Sequence, residues 1–262
     1  MSFPQRIVSV VPSQTELLFD LGLNDEIVGI TKFCIHPADN VRGKPFVGGT
    51  KTLHIDRIHA LRPDLILANQ EENTREQIEE LQRRYPVHVT DVTTLSDALA
   101  MIRDVGKLVG KEKQAEDMTV QITRTLPSVL TESTAGIRVA YLIWRKPYMI
   151  AADDTFIHSM LQMAGFQNAF AGQSRYPEIS PDELQMADPD LIFLSSEPYP
   201  FAPTHIAELR AVCPSARVLV VDGEVFSWYG SRLLQAGEYF RNLRIEIAAL
   251  GLRSGQPARF KQ

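Results

Sequence analysis

Cysteine is scarce in this 262-residue chain: Cys34 and Cys213 are the only two, one in each half, which argues against a framework disulfide and leaves free thiols as the expectation. No apolar run approaches the roughly 18 residues a membrane span requires. The run Ile7-Val8-Ser9-Val10-Val11 is cut off by Pro12 and is too short for a signal core. Basic residues are not in excess either, with 27 Lys and Arg against 32 Asp and Glu and a net charge of −5. That balance excludes a broad electrostatic footprint for nucleic acid and favours a small partner. Enzyme signatures are missing too: there is no Gly-x-Ser-x-Gly elbow, no phosphate loop ending in Gly-Lys-Ser/Thr, and no Gly-x-Gly-x-x-Gly after the first strand. His54, His59, His88, His158 and His205 are scattered and build no recognisable cluster.

What the chain does contain is a repeated stretch. Asp56-Arg57-Ile58-His59-Ala60-Leu61-Arg62-Pro63-Asp64-Leu65-Ile66-Leu67 is matched by Asp182-Glu183-Leu184-Gln185-Met186-Ala187-Asp188-Pro189-Asp190-Leu191-Ile192-Phe193. Asp56 and Asp182 lie 126 residues apart, each seven positions before a Pro-Asp-Leu-Ile run. Each copy reads as a short helix, a proline stop and a strand covered on both faces, because the residue before proline is biased out of the helical region and the apolar run is continuous.

Around the repeat, strands are expected at residues 6–11, 27–30, 87–89, 138–143 and 217–221. Helices are expected after Ser13-Gln14-Thr15-Glu16, read as a capping box, and after Asn73 and Ser96, read as caps. Further helices are predicted over 155–164, 204–210 and 231–250, with a polar tail beyond. Ala115, Met118, Ile122, Leu126 and Leu130 recur at helical spacing and predict one extended helix between the halves, with Pro127 kinking or ending it. The β-α-β alternation predicts an α/β fold with parallel sheets and outer helices.

In open parallel sheets, ligands bind at the carboxyl ends of strands. The loops there carry Ser13, Gln14, Lys32, Cys34, His36 and Glu72 in the first half. In the second half they carry Trp144, Arg145, Tyr148, Arg175, Tyr199, Phe201, Trp228, Tyr229 and Arg232. Facing each other across a cleft, aromatic faces with a few cations suit a large, partly apolar ligand with anionic or amide groups. Cys34, His36 and Glu72 are candidate metal ligands, since a thiolate and an imidazole two residues apart can approach one ion. Asp153-Asp154 reads as a charge feature at a helix start.

The opening Arg-Ile-Val-Ser-Val-Val-Pro-Ser-Gln-Thr-Glu, the Val-Gly-Gly-Thr segment and the twofold Pro-Asp-Leu-Ile resemble the helical-backbone substrate-binding proteins of ABC importers, over residues 6–250. Within that family the pattern is most similar to the branch that binds cobalamin, with haem, siderophore and metal binders as relatives. The resemblance implies two Rossmann-like α/β lobes, 1–108 and 133–262, with parallel sheets joined by one long interdomain helix, 109–132. It also implies a small-molecule ligand such as a corrinoid or related metal chelate, held in the interlobe cleft and delivered to an ABC permease in the membrane. The chelate would be cargo, so no cofactor, no catalytic residue and no resident metal are expected, and the chain is expected to act as a monomer without nucleic acid. In cobalamin-type relatives a surface acid on each lobe pairs with permease arginines, and the matching positions are Asp56 and Asp182. The family is extracytoplasmic, which here requires a leader removed upstream. The alternative expectation is a cytoplasmic metal-handling protein or enzyme on the same scaffold, using Cys34, His36 and Glu72.

Overall fold

The computed structural model describes residues 3–126, 136–249 and 251. Contacts group the chain into two compact units, Met1–Gln121 with Trp228–Leu234, and Ile122–Ser227 with Gln235–Gln262.

The first unit runs β1 (Ile7–Ser9), α1 (Pro12–Asp20), β2 (Ile27–Ile30), α2 (Ala38–Val41), β3 (Gly48–Gly49), β4 (Thr52–Leu53), α3 (Ile55–Leu61), β5 (Leu65–Asn69), α4 (Arg75–Gln82), β6 (Val87–Thr90), α5 (Leu95–Leu108) and the start of α6 (Glu112–Thr125). Its main sheet has the order β2-β1-β5-β6 and is parallel throughout. Both faces are covered, as the continuous apolar runs require. Val8, Val10, Ile66 and Ala68 pack with Ile58 of α3 and with Ile78 and Leu81 of α4. The strand order reverses between β1 and β5, and such a reversal is the place where open sheets accept ligands.

The second unit continues through β7 (Arg138–Trp144), β8 (Tyr148–Ile150), α7 (Phe156–Met163), β9 (Gln167–Asn168), β10 (Glu178–Ile179), α8 (Pro181–Met186), β11 (Leu191–Ser195), a 3-10 turn (Pro203–His205), α9 (Ile206–Val212), β12 (Arg217–Val221), α10 (Gly223–Ser227) and α11 (Leu233–Ala249). Here β9, β7, β11 and β12 are parallel, but β8 and β10 join antiparallel, so this sheet is mixed rather than purely parallel. The cause is local: three residues separate β7 from β8, enough for a hairpin and too few for a parallel crossover. Lys146 takes φ +62° in that turn. One face packs Ala140, Leu142, Ile192 and Leu194 on Leu184 of α8 and Leu209 of α9. Around Tyr141 and Phe193 stand the rings of Phe166, Phe226 and, beyond it, Phe240.

The repeat has a structural job in each unit. Arg62 and Asp188, the residues before the prolines, stop their helices at φ +46° and +45°. The following aspartate then fastens the first strand of its unit. Asp64 accepts from the backbone N–H groups of Gln5 and Arg6, both at 2.8 Å, and Asp190 accepts from Arg138 N at 2.8 Å. The arginine side chains reciprocate on helix-end carbonyls, Arg6 on Leu61 O at 2.7 Å and Arg138 on Ala187 O at 2.9 Å.

Three predicted caps differ. α1 starts at Pro12 with Val11 before it, because proline pre-sets the first helical φ, so Ser13 lies inside the first turn and caps nothing. Thr74, not Asn73, precedes α4; the Asn73 side chain instead bonds Asn69 N, Val10 O and Thr50 O. Thr94, not Ser96, caps α5, in a capping box with Asp97. Among the predicted helical positions between the halves, Ala115, Met118, Ile122 and Leu126 are buried on or just after α6. Pro127 and Leu130 lie outside the described residues.

Candidate functional site

In the first unit, the carboxyl ends of β1, β2 and β5 carry the first turn of α1, the loop 31–37 and the loop 69–73. The segment Trp228–Leu234 belongs with them. Gly230 makes this approach feasible, since a Cβ there would stand 3.1 Å from Ser13 O. Two contacts fix the segment. Tyr229, itself buried, donates from its hydroxyl to Glu72 Oε1 at 2.8 Å, and burial, followed by the Glu72 charge, pushes its pKa well up, so it remains a donor. The Arg232 side chain, 10% exposed, pairs with Glu16, 9% exposed: Nη2 lies 2.7 Å from Oε1, and Nε donates to Oε2 at 3.2 Å. The Arg232 guanidinium also stands 5.3 Å from the Trp228 ring, and the His36 imidazole meets Trp228 edge-on at 5.5 Å.

Not every candidate is presented outward. Ser13, Gln14, Trp228 and Tyr229 are buried, His36 and Glu72 are half-buried, and Lys32 is exposed with its Nζ 5.0 Å from the Phe33 ring. Gln14 donates to Thr90 Oγ1. Cys34 is buried, its Sγ 3.1 Å from Thr15 Oγ1 and 3.3 Å from Thr31 Oγ1. Burial raises its pKa despite those hydroxyls, which keeps it a thiol rather than the thiolate that binds metal. With Glu72 engaged by Tyr229, the proposed trio of Cys34, His36 and Glu72 does not come together as a metal site. Among the described residues, no group of three or more His, Cys, Asp or Glu is placed to hold an ion.

In the second unit, Arg145 is committed internally. Its guanidinium grips Glu208, Nη2 to Oε2 at 2.7 Å and Nε to Oε2 at 3.0 Å, while the Tyr148 hydroxyl donates to Glu208 Oε1 at 2.6 Å. Glu208 is held below the usual carboxylate range, first by the Arg145 hydrogen bonds and then by Tyr148. Burial, and then this carboxylate, raise the Tyr148 pKa. These contacts tie the β7–β8 hairpin to α9. Arg175 is exposed at φ +63° and donates to Asp154 O at 3.1 Å, while Asp153 pairs with His158 Nδ1 at 3.0 Å. The ring cluster comprises Trp144 against Tyr199 at 5.6 Å, Tyr199 against Phe201 at 4.7 Å, and His205 against both. Trp144 is 40% exposed, whereas Phe201 and Tyr148 are buried.

Asp56 and Asp182 are both exposed in the first turn of their helices, α3 and α8. Neither is the N-cap. That position belongs to His54 and to Ser180, the latter in a capping box with Glu183. Sequence reasoning missed Glu208, the pairing of Glu16, and the half-exposed Phe33, Ile35 and Phe46. Only the last group left a signal, an alternation in which Cys34 points in while Phe33 and Ile35 point out.

A family model described as periplasmic binding protein matches residues 7–212. The chain is 25% identical over 246 residues, covering 90% of it and 87% of the relative, to a vitamin B12-binding protein of Pectobacterium carotovorum subsp. carotovorum (strain PC1). It is also 25% identical over 252 residues to the ABC transporter substrate-binding lipoprotein YvrC of Bacillus subtilis (strain 168), covering 90% of this chain and 78% of the relative. Among solved structures, the periplasmic vitamin B12 binding protein BtuF of Vibrio cholerae shares the fold with TM-score 0.79 at 22% identity, over 94% of this chain and 98% of that one. The periplasmic heme-binding protein RhuT from Roseiflexus sp. RS-1 shares it with TM-score 0.81 at 20% identity, over 95% and 99%.

Proposed function

Because the chain belongs to the periplasmic binding protein family, we propose that it is the substrate-binding component of an ABC importer, capturing a corrinoid or related metal chelate and handing it to a permease. The observation that carries this reading is the likeness, over 90% of the chain, to a vitamin B12-binding protein. The rings at the strand ends of each unit suit such cargo: His36 on Trp228 in the first, Trp144 on Tyr199 in the second. Macrocyclic chelates bury large apolar faces and carry polar rims, a chemistry aromatic side chains recognise through stacking and area burial.

Binding, not bond-making, is the whole task. Arg145 and Arg232 position loops through Glu208 and Glu16, while Arg175 and Lys32 are the exposed cations among the ligand candidates. Asp56 and Asp182 are the permease contacts: exposed, uninvolved in capping, and favoured where they stand by the positive end of their helices. The partner surface they fit is basic. The protein acts as a monomer, with no nucleic-acid partner and no resident cofactor.

The test is titration with cobalamin, cobinamide, haem and ferric siderophores, followed by tryptophan fluorescence. Saturable quenching by at least one is expected. Silence with all four, together with stoichiometric zinc or iron in the isolated protein, would overturn the reading.

A further inference from the structure

The hydroxyl of Tyr199, on the loop that leaves β11, stands where two donors meet. His205 Nε2 lies 3.3 Å from it. Which of the pair donates follows from the other ring nitrogen, because a neutral imidazole carries its proton on one nitrogen and accepts on the other. The backbone N–H of Ala202, which can only donate, points at His205 Nδ1 at 3.0 Å. Ala202 O is 3.2 Å from the same nitrogen, but it already accepts from His205 N at 2.9 Å. Nδ1 is therefore the acceptor, and Nε2 donates its proton to the Tyr199 oxygen. The second donor is Arg145. Its guanidinium offers no acceptor, and besides gripping Glu208 it hydrogen-bonds the Tyr199 side chain.

Two donors on one phenolic oxygen leave that group only its own proton to offer. Among the described residues no acceptor receives it. Tyr199 is half-buried, with its ring edge-on to the 40% exposed Trp144 at 5.6 Å, so the proton belongs to the aromatic surface of the second unit. We propose that Tyr199 is a specificity-determining donor, giving its hydroxyl proton to an oxygen on the rim of the cargo, either an amide carbonyl or a carboxylate. The inference rests on the importer reading and deepens it, because this part of the site then reads the cargo's rim as well as its apolar face. A site built to donate rejects an analogue that lacks the acceptor, since its own polar group is left unpaired. A cargo presenting a donor there is disfavoured in the same way.

The experiment uses the full chain and has two parts. Nitrogen NMR shifts of His205 in isotope-labelled protein, read without cargo, should report a protonated Nε2 and a bare Nδ1. A protonated Nδ1 would overturn the proposal and leave the importer reading untouched. Wild type and Tyr199→Phe are then titrated with cobinamide and a ferric hydroxamate siderophore, whose rims carry amide oxygens, and with haem, whose rim carries propionates. The substitution keeps the ring, so the free variant should retain the near-ultraviolet circular dichroism of wild type. For each chelate that wild type retains, the variant should bind more weakly, by about two- to tenfold for amide oxygens and about tenfold or more for propionates, as loss of a neutral and of a charge-assisted hydrogen bond gives. The dimethyl ester of haem keeps the macrocycle and removes the charge, so its affinity should respond less to the substitution than that of haem. Unchanged affinity for every chelate retained overturns the donor role and leaves the importer reading standing. A loss that comes with altered circular dichroism of the free variant, or that is equal for haem and its ester, does the same, because a loosened ring cluster would produce it. Failure of wild type to retain any of the three chelates overturns both.

Discussion

Arg232→Met should destabilise the protein far more than the loss of a surface ion pair. The Arg232 and Glu16 side chains are 10% and 9% exposed, with Nη2 2.7 Å from Oε1, so removing the cation takes a close opposite charge away from a carboxylate shielded from solvent. Breaking such a pair costs about 3–5 kcal/mol. At about 2–4 °C per kcal/mol for a chain of this size, the melting temperature should fall by roughly 6 to 20 °C. Glu16→Leu should cost a similar amount, by removing the carboxylate from a guanidinium that also stands over the Trp228 ring. The informative variant is the double one. Glu16→Leu with Arg232→Met places two apolar side chains of similar volume where the ions were, and buried pairs replaced in this way are often neutral or better. The cycle is read by urea denaturation monitored by circular dichroism, at low and at high salt, since a buried pair is weakly screened. Single variants within about 1 kcal/mol of wild type, or a double variant as unstable as the sum of the singles, would refute the claim that this pair fastens residues 228–234 into the first unit.

Trp144→Ala removes a 40% exposed ring and should leave stability within about 0.5 kcal/mol while weakening chelate binding by about 1–3 kcal/mol; an unchanged dissociation constant removes Trp144 from the ligand surface. Trp228→Ala should weaken both properties, with a stability loss of about 3–5 kcal/mol for a buried aromatic; unaltered chelate affinity would confine Trp228 to the core. Asp56→Asn and Asp182→Asn should leave chelate affinity intact and slow uptake into vesicles carrying the permease, the double variant most; uptake at the wild-type rate would end their docking role. Glu208 has a folded-state pKa below its unfolded value, so its contribution to stability is present above about pH 4.3 and is lost as pH falls through the folded value. The gap in unfolding free energy between wild type and Glu208→Gln should therefore shrink on acidification in that window, and a gap independent of pH contradicts the assignment.

How much of this could be read in advance divides along sequence distance. The Pro-Asp-Leu-Ile repeat was legible because its physics is local: a proline-stopped helix, an apolar strand, and an aspartate whose role in fastening the unit's first strand is the same in both copies. The covered parallel sheet followed from unbroken apolar runs such as Leu65-Ile66-Leu67. Caps were misplaced by one to two residues because Ser13, Asn73 and Ser96 are all good cap residues; Pro12 and the Thr94–Asp97 box won on backbone geometry. The site was least legible because its contacts join distant positions. Tyr229 and Glu72 are 157 residues apart, Arg232 and Glu16 are 216, and Arg145 and Glu208 are 63. No local pattern announces that an arginine in a loop has its charge met by such a partner, so Arg145 and Arg232 read as ligand contacts with no sign of their pairing with Glu208 and Glu16. The antiparallel β8 and β10 were hidden for the opposite reason, being three and two residues long.

The most direct measurement is equilibrium dialysis of the purified chain against cobinamide, haem and a ferric hydroxamate siderophore, with bound chelate quantified by its own absorbance. The account predicts saturable retention of a macrocyclic chelate at one per chain. Retention of none of the three would contradict it.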